Sequence, residues 1–487
     1  MIWIARASGP LLAGLVWWLL QDAQGLSADG RMVAAIASWM AIWWMMEAIP
    51  LAATSLLPIV LLPMLTSLPI PEVTAPYASP IVFLFLGGFL VAIALEKWNL
   101  HRRFALMTLR LVGTKPRRIV LGLMLSTGFL SMWVSNTATT LMMLPIGLSV
   151  ISLVSDRQTT GPDLDDRNIH QFSLCTTLAI GWSASMGGLG TLLGSPPNAI
   201  IAGYAAAELG TRIGFADWML LGVPTAIVFI LVGWLLMTRL LYRFNLAEVR
   251  GGREMIVEEI ARLGPVSRGE KIVLTVFLAA AFLWIAPDLL TEMLGAPVWL
   301  AKVDDAAIAI AAGTALFMLP ARPGEMVLNW KDAEDGLPWG VLLLFGGGLS
   351  LAMAVASTGL DGWLGSLIAG LGRLPVLLLV AAVVTLIIFL TEVTSNTATA
   401  ATFIPILGAV ALGMNADPLS LLIPAAFAAT CAFMLPVGTP PNAIVFSTGR
   451  VSIGEMAKGG LVLNLAGILL ITLFCYFLGG SSLGIRF

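Results

Sequence analysis

The 487-residue chain is 58% hydrophobic and only 11% charged, under half of the roughly 25% charge of a soluble domain. A soluble fold of this size is excluded, because so few polar residues do not cover its core. Twenty-six basic against 28 acidic residues leave a formal net charge of −2, which offers no strong field for nucleic acid or an acidic surface.

A helix that crosses a bilayer needs about 20 apolar residues. Taken in chain order, blocks of that kind predict crossings near 8–21, 32–49, 51–68 and 79–97. The first follows a single Arg6 and has the look of a signal-peptide core. No clean small-x-small cleavage site follows it, and it is read as a retained first helix. Trp17, Trp18, Trp43 and Trp44 are read as interfacial or packing aromatics, and Glu47, ahead of Ala48-Ile49-Pro50, as a helix-end residue. The block 119–154 is too long for one crossing and too short for two, and small residues break its middle, so a re-entrant hairpin is expected. In the polar insert that follows, Asp163, Asp165 and Asp166 lack EF-hand spacing and are expected to be solvated. Further crossings fall at 171–208 and 216–241, then, after a charged linker, at 271–288, 305–320 and 338–357. A second re-entrant block at 374–412 and crossings at 420–448 and 459–480 complete the pattern. The fold class is thus an all-α polytopic membrane protein with about eleven transmembrane helices and two re-entrant hairpins. Cys175, Cys431 and Cys475 sit in apolar stretches and are expected to pack rather than pair. His101 and His170 fall in polar loops, which leaves no histidine for a metal or general-base site within the membrane.

Basic residues orient the chain. With the N-terminus, 97–118, 155–170, 239–271, 321–337 and 449–458 in the cytoplasm, 21 of the 26 Lys and Arg lie inside, as the positive-inside rule requires of a multi-pass cell-membrane protein. The first hairpin then enters from the cytoplasm and the second from outside.

An internal repeat organises the whole. Ser135-Asn136-Thr137-Ala138-Thr139 recurs as Ser395-Asn396-Thr397-Ala398-Thr399, and Gly194-Ser195-Pro196-Pro197-Asn198 as Gly438-Thr439-Pro440-Pro441-Asn442. Leu86-Gly87-Gly88 is echoed by Phe345-Gly346-Gly347. Hairpins entering from opposite sides make the repeat inverted, the usual signature of a secondary transporter. Five segments follow: scaffold helices at 1–118 and 272–373, hairpin plus broken helix at 119–241 and 374–487, and a cytoplasmic linker at 242–271.

Irregular backbone at membrane depth persists only where protein or a water-filled cavity satisfies it. Carbonyls freed at a Ser-Asn-Thr break, with the Asn side-chain oxygen, form a cage of hard oxygens for a small cation. Hydroxyls and helix-start amides hold an anion. A single copy would read as ordinary capping and a tight turn; two copies of both motifs at matching places favour a site. No basic residue flanks the motifs closely, so a multivalent anion there must be balanced by dipoles and a bound cation. Glu392, three residues before Ser395, breaks the repeat, since Met132 is its counterpart. It has either an ion or proton role or a structural hydrogen-bonding role.

At these motifs, and at Glu47-Ala48-Ile49-Pro50, the chain resembles the divalent anion:sodium symporter family of dicarboxylate and citrate transporters over nearly its whole length. The resemblance implies a homodimer in which a transport domain moves as an elevator against a scaffold. It implies one sodium site at Asn136 with backbone oxygens of Ser131, Ser135 and Gly194. A second would use Asn396 with those of Thr391, Thr394 and Gly438. Substrate carboxylates would meet Ser135, Asn136, Thr137, Ser395, Asn396 and Thr397, with Ser195, Thr439 and Pro440 lining the cavity. The function expected is sodium-coupled symport of C4-dicarboxylates such as succinate, malate and fumarate. A citrate or sulfate carrier and a sodium-independent dicarboxylate exchanger are the alternatives. A channel and an intramembrane hydrolase are weaker rivals; Ser183 and Ser185 lie near glycines, but no histidine accompanies them, and no enzyme is expected.

Overall fold

A computed structural model describes residues 2–158, 166–246, 252–294, 304–368 and 375–486. Of the acidic insert residues, Asp163 and Asp165 lie outside this set, as do Lys302 and Arg373.

Five helices lead in: α1 (Ile2–Leu19), α2 (Ala28–Met46), α3 (Leu51–Thr54), α4 (Leu57–Leu65) and α5 (Ile70–Thr74). The stretch expected as one crossing at 51–68 is divided into α3 and α4. Pro50 precedes α3, Pro58 opens α4 and Pro63 lies inside it, and proline removes a helix donor and clashes with the preceding turn. The first repeat runs α6 (Pro80–Lys97), α7 (Leu100–Val112), α8 (Pro116–Ser131), α9 (Asn136–Gln158), α10 (Asp166–Gly187), α11 (Pro196–Glu208) and α12 (Phe215–Leu236). A linker helix α13 (Gly252–Arg262), then α14 (Arg268–Leu294), α15 (Asp305–Met318), a two-stranded turn of β1 (Pro320–Arg322) with β2 (Glu325–Met326), and α16 (Trp330–Gly336) lead to the second repeat. That repeat is α17 (Trp339–Ser357), α18 (Leu360–Ile368), α19 (Val376–Thr391), α20 (Asn396–Gly413), α21 (Leu419–Thr430), α22 (Pro440–Ser447) and α23 (Ile453–Leu483).

Seven helices among the described residues are long and apolar enough to cross a bilayer, and four apolar helices are shorter. The shorter ones include α19 and α21, each a half-helix ending at a break. The two blocks expected as hairpins are α8–α9 and α19–α20. The crossings at 171–208 and 420–448 are each broken, at 188–195 and 431–439.

The repeat extends to single atoms. A Cβ added to Gly222 of α12 would lie 2.5 Å from the Leu189 carbonyl oxygen, and one added to Gly460 of α23 would lie 2.3 Å from that of Phe433. Glycine alone lets each helix touch its break. The equivalent helices run antiparallel, because α12 ends where α23 begins: the Tyr242 hydroxyl donates to the Glu455 carbonyl at 3.0 Å. The repeat is therefore inverted.

Contacts between loops sort into two ends. At one end Lys97 pairs with Asp332 at 2.7 Å, Arg102 with Glu259 at 2.5 Å and Arg103 with Glu270 at 2.6 Å. Nearby, His170 meets Glu455 at 3.1 Å and Arg450 donates to Ser173. At the other end Arg212 pairs with Asp305 at 3.3 Å, Ser27 donates to the Thr358 carbonyl, and the Arg486 amide to Asp417. Among the described residues, no such contact joins loops that the positive-inside reading puts on opposite sides.

One reading of a single residue changes. His101 is not in a loop but buried in α7, with Nδ1 3.3 Å from the Leu95 carbonyl, and burial holds its pKa below the ordinary value. Trp44 is fully buried and donates to Ser55 at 3.2 Å, so it packs, whereas Trp17 and Trp18 are exposed. The three cysteines are buried and unpaired, as expected.

The Arg103–Glu270 pair, with side chains 12% and 6% exposed, pins α7 to α14. Removing one partner of a buried pair is costly, while an apolar replacement of both is tolerated. Glu270→Ala is expected to lower stability by about 3 kcal/mol, and Arg103→Met with Glu270→Leu to regain most of it, read from thermal unfolding in detergent.

Candidate functional site

Each hairpin tip joins a helix carboxyl end to a helix amino end. At the first, α8 ends at Ser131 and α9 begins at Asn136. The Ser135 carbonyl accepts from the Thr139 amide at 2.9 Å, and its hydroxyl from the Ala138 amide at 3.3 Å. At the second, Ser395 is extended at φ −67°, ψ 136°, and its carbonyl accepts from Thr399 at 2.9 Å. Carbonyls of partial negative charge and amides of partial positive charge thus meet at one point.

The Asn136 side chain lies among oxygens: Ser131 Oγ at 2.5 Å, and the Ala184 and Gly194 carbonyls at 3.1 Å each. Turned one way, its amide donates to them. Turned the other, Oδ1 would join three other oxygens of the hard kind that small cations take as ligands. Gly188 closes over these oxygens, since a Cβ there would lie 2.7 Å from Asn136 Oδ1. In the second half Thr391 Oγ1 lies 2.8 Å from Asn396 Oδ1 and 3.0 Å from the Ala429 carbonyl, two acceptors for its one proton. Ser131 and Thr391 are equivalent positions, as are Asn136 and Asn396.

The four breaks are tied together by a short path. Asn136 reaches the Gly194 carbonyl, the next residue, Ser195, shares a hydrogen bond of 2.9 Å with Thr430, and the residue before Thr430 accepts from Thr391. From Thr391 the path closes on Asn396.

Of the residues expected at the first cation site, the fold brings Ser131, Asn136 and Gly194 together, Ser131 through its hydroxyl. The Ser135 carbonyl is engaged within α9. At the second, Thr391 and Asn396 are joined. Thr394 is buried and shares a hydrogen bond of 2.6 Å with Thr399, and Gly438 lies against Glu392. Ser135, Asn136, Thr137, Ser395, Asn396 and Thr397 are all half-buried, partly open at the tips. Ser195 and Thr439 are buried, with hydroxyls committed to Thr430 and to the Asn442 amide, while Pro440 is exposed.

Three asparagines and a glutamate hold the breaks. Asn198 Nδ2 donates to the Gly188 and Thr191 carbonyls at 2.8 Å each, and Asn442 Nδ2 to the equivalent Ala432 and Leu435 carbonyls at 3.0 and 2.9 Å. Glu392 is 3% exposed and accepts from the amides of Phe433, Met434 and Leu435 at 2.7–3.1 Å. Asn464 of α23 adds a donor at 2.7 Å. That arrangement supports the structural reading of Glu392. In the first half the Met132 side chain lies over Gly190, while its carbonyl accepts from the Thr191 hydroxyl. The Ala184 and Ala429 carbonyls, Thr430 and Asn464 were not anticipated. Only Asn464, a lone amide in an apolar crossing, carried a sequence signal.

Among the described residues, the side-chain hydrogen bonds and ion pairs of lysine and arginine fall in the end loops, none on the tips or breaks. Ser183 is buried in α10 with its hydroxyl on the Ile180 carbonyl, which leaves no exposed nucleophile there.

The family model for the sodium:sulfate symporter transmembrane region matches residues 3–480. The chain belongs to this family. Curated relatives agree: the chain is 45% identical to the sodium-dependent dicarboxylate transporter SdcS of Staphylococcus saprophyticus over 98% of its own length and 91% of the relative's. It is 44% identical to SdcS of Staphylococcus aureus with the same coverage. The solved structure of the YdaH transporter of Alcanivorax borkumensis shares the fold, with a TM-score of 0.60 at 15% identity over 91% of this chain and 98% of that one. The sodium:sulfate symporter family is one of membrane transporters, and the chain is accordingly a multi-pass membrane protein rather than an enzyme.

Glu392→Gln would turn an amide NH2 toward backbone donors. Charge-assisted hydrogen bonds of this kind contribute about 1.5–3 kcal/mol each, so the variant is expected to lose about 3 kcal/mol of stability, seen as a lower melting temperature in detergent. An unchanged melting temperature would contradict the anchoring role.

Proposed function

We propose that this family member is a secondary transporter that couples sodium to uptake of C4-dicarboxylates such as succinate, malate and fumarate. The observation that carries the reading is the pair of hairpin tips, in which an Asn oxygen and helix-end carbonyls face helix-start amides with no basic side chain among them. Asn136 with Ser131 and Gly194 would hold one sodium ion, and Asn396 with Thr391 and Gly438 the other. Ser135 and Thr394 would complete the two shells, and the Ala184 and Ala429 carbonyls extend them. Each ion would leave the adjoining amino end of α9 or α20, with Ser135, Thr137, Ser395 and Thr397, to meet one substrate carboxylate. Ser195, Thr439 and Pro440 would form the wall between the tips, Ser195 and Thr439 once the cavity opens.

The names of the 44–45% identical relatives support dicarboxylate as the substrate class. The family's description names sulfate, which keeps a sulfate carrier as the second reading, with citrate carriage and sodium-independent exchange behind it. Movement would be that of an elevator: segments 119–241 and 374–487 shift against scaffold segments 1–118 and 272–373, with 242–271 as the linker. Two copies would assemble through their scaffolds.

Uptake of labelled succinate into proteoliposomes is expected to need an inward sodium gradient; equal rates with potassium would sink the coupling. Excess sulfate or citrate is expected to compete weakly. Asn136→Ala and Asn396→Ala are each expected to abolish sodium-stimulated uptake while melting temperature and elution volume stay near those of the parent.

A further inference from the structure

Cations at the charged end of the bundle include paired and unpaired ones. Lys97, Arg102, Arg103, Arg262, Arg322 and Lys331 are ion-paired. Lys115, Arg117 and Arg118 are exposed and, among the described residues, form no ion pair. The three line a groove of about 440 Å³ with Trp234, Phe244 and Leu246, a volume within the roughly 300–1,000 Å³ of small-molecule sites. Its wall is fixed in place, because Trp234 Nε1 donates to the Arg117 carbonyl at 2.8 Å and so ties α12 to the start of α8.

The groove stands where lipid tails give way to headgroups. On α12, Leu231 and Leu235 are exposed below it, and exposed Arg239 and Arg243 follow beyond it. On α7, Met107 and Leu111 are exposed beside exposed Arg110. An indole between exposed leucines and a cluster of cations marks a membrane interface, and basic pockets between helices on the positive side are suited to acidic lipid headgroups.

We propose that this groove binds the phosphodiester headgroup of an anionic phospholipid in the cytoplasmic leaflet. Lys115, Arg117 and Arg118 meet the phosphate, and the acyl chains run along Leu231 and Leu235. The lipid would steady the junction of α7 with the first hairpin.

Native mass spectrometry of the purified full chain with added phosphatidylglycerol or phosphatidylcholine tests this. Each surface cation contributes about 1 kcal/mol to such binding, which converts to about fivefold in affinity. Lys115→Gln/Arg117→Gln/Arg118→Gln is therefore expected to lower phosphatidylglycerol retention at least tenfold, whereas Lys331→Gln at the same end leaves it unchanged. Arg118→Gln alone and a salt titration of the unaltered protein, both expected to reduce retention severalfold, carry the same test without the triple substitution. Equal retention in parent and variants, or equal retention of phosphatidylcholine, would overturn the proposal. So would displacement of the lipid by inorganic phosphate, which would make the groove a site for free phosphate.

Discussion

Backbone groups exposed by a broken helix at membrane depth have no water to bond with, and each one left unsatisfied costs several kcal/mol. Four such breaks meet in this molecule, so their satisfaction constrains everything packed around them. Asn198 and Asn442 answer the demand identically, each placing one side-chain amide on two carbonyls of its break. Gly222 and Gly460 answer it sterically, by letting α12 and α23 lie directly on the break backbone. The inverted repeat is therefore more than a topological relation: the same bonds recur at the same offsets in chain segments running in opposite directions.

The halves diverge at one position. Glu392 gathers three consecutive amides and Asn464 around a buried carboxylate, and no cation shares it among the described residues. Buried carboxylates are tolerated when hydrogen bonds replace their hydration, and here the bonds from Phe433, Met434 and Leu435 also fix break backbone while that from Asn464 ties in α23. Met132 does none of this. In its half the chain tightens instead into a short 3-10 turn at Leu192–Gly194 capped by Thr191. The two tips are thus alike in shape but differ in local polarity, with a carboxyl group beside the second tip where the first has a thioether.

Much of this was legible beforehand because the motifs are duplicated. Repetition separated the hairpins and breaks from ordinary caps, and the crossings fell where apolar length required. What escaped the sequence did so for identifiable reasons. Helices α7 and α18, of 13 and nine residues, are shorter than a bilayer crossing, and in α7 charged residues interrupt the apolar run, so neither stood out as an apolar block. The Ala184 and Ala429 carbonyls belong to backbone, which has no letter in a sequence. The pairing of Ser195 with Thr430 crosses 235 positions and both halves. Glu392 was visible as an anomaly, but its donors lie in the break and on α23, and only folding brings them together.

Scarcity of charge inside has a further consequence for the proposed cycle. A dianion held at tips that, among the described residues, no lysine or arginine side chain bonds to would leave uncompensated negative charge in a medium of low dielectric, where charge is far more expensive than in water. Helix-start amides and hydroxyls supply only partial charges. Glu392, beside the second tip, supplies no positive charge to offset it. Bound cations are then the remaining source of full positive charge, and the oxygens around Asn136 lie within the same tip as the amides that would hold the carboxylate. Substrate and cation each lower the cost of binding the other, which is a coupling free energy in the strict sense and acts in both directions. A lysine at either tip would relieve the same electrostatic strain but would remain when substrate left. A mobile cation departs with it, and that is the physical difference between a binding protein and a symporter.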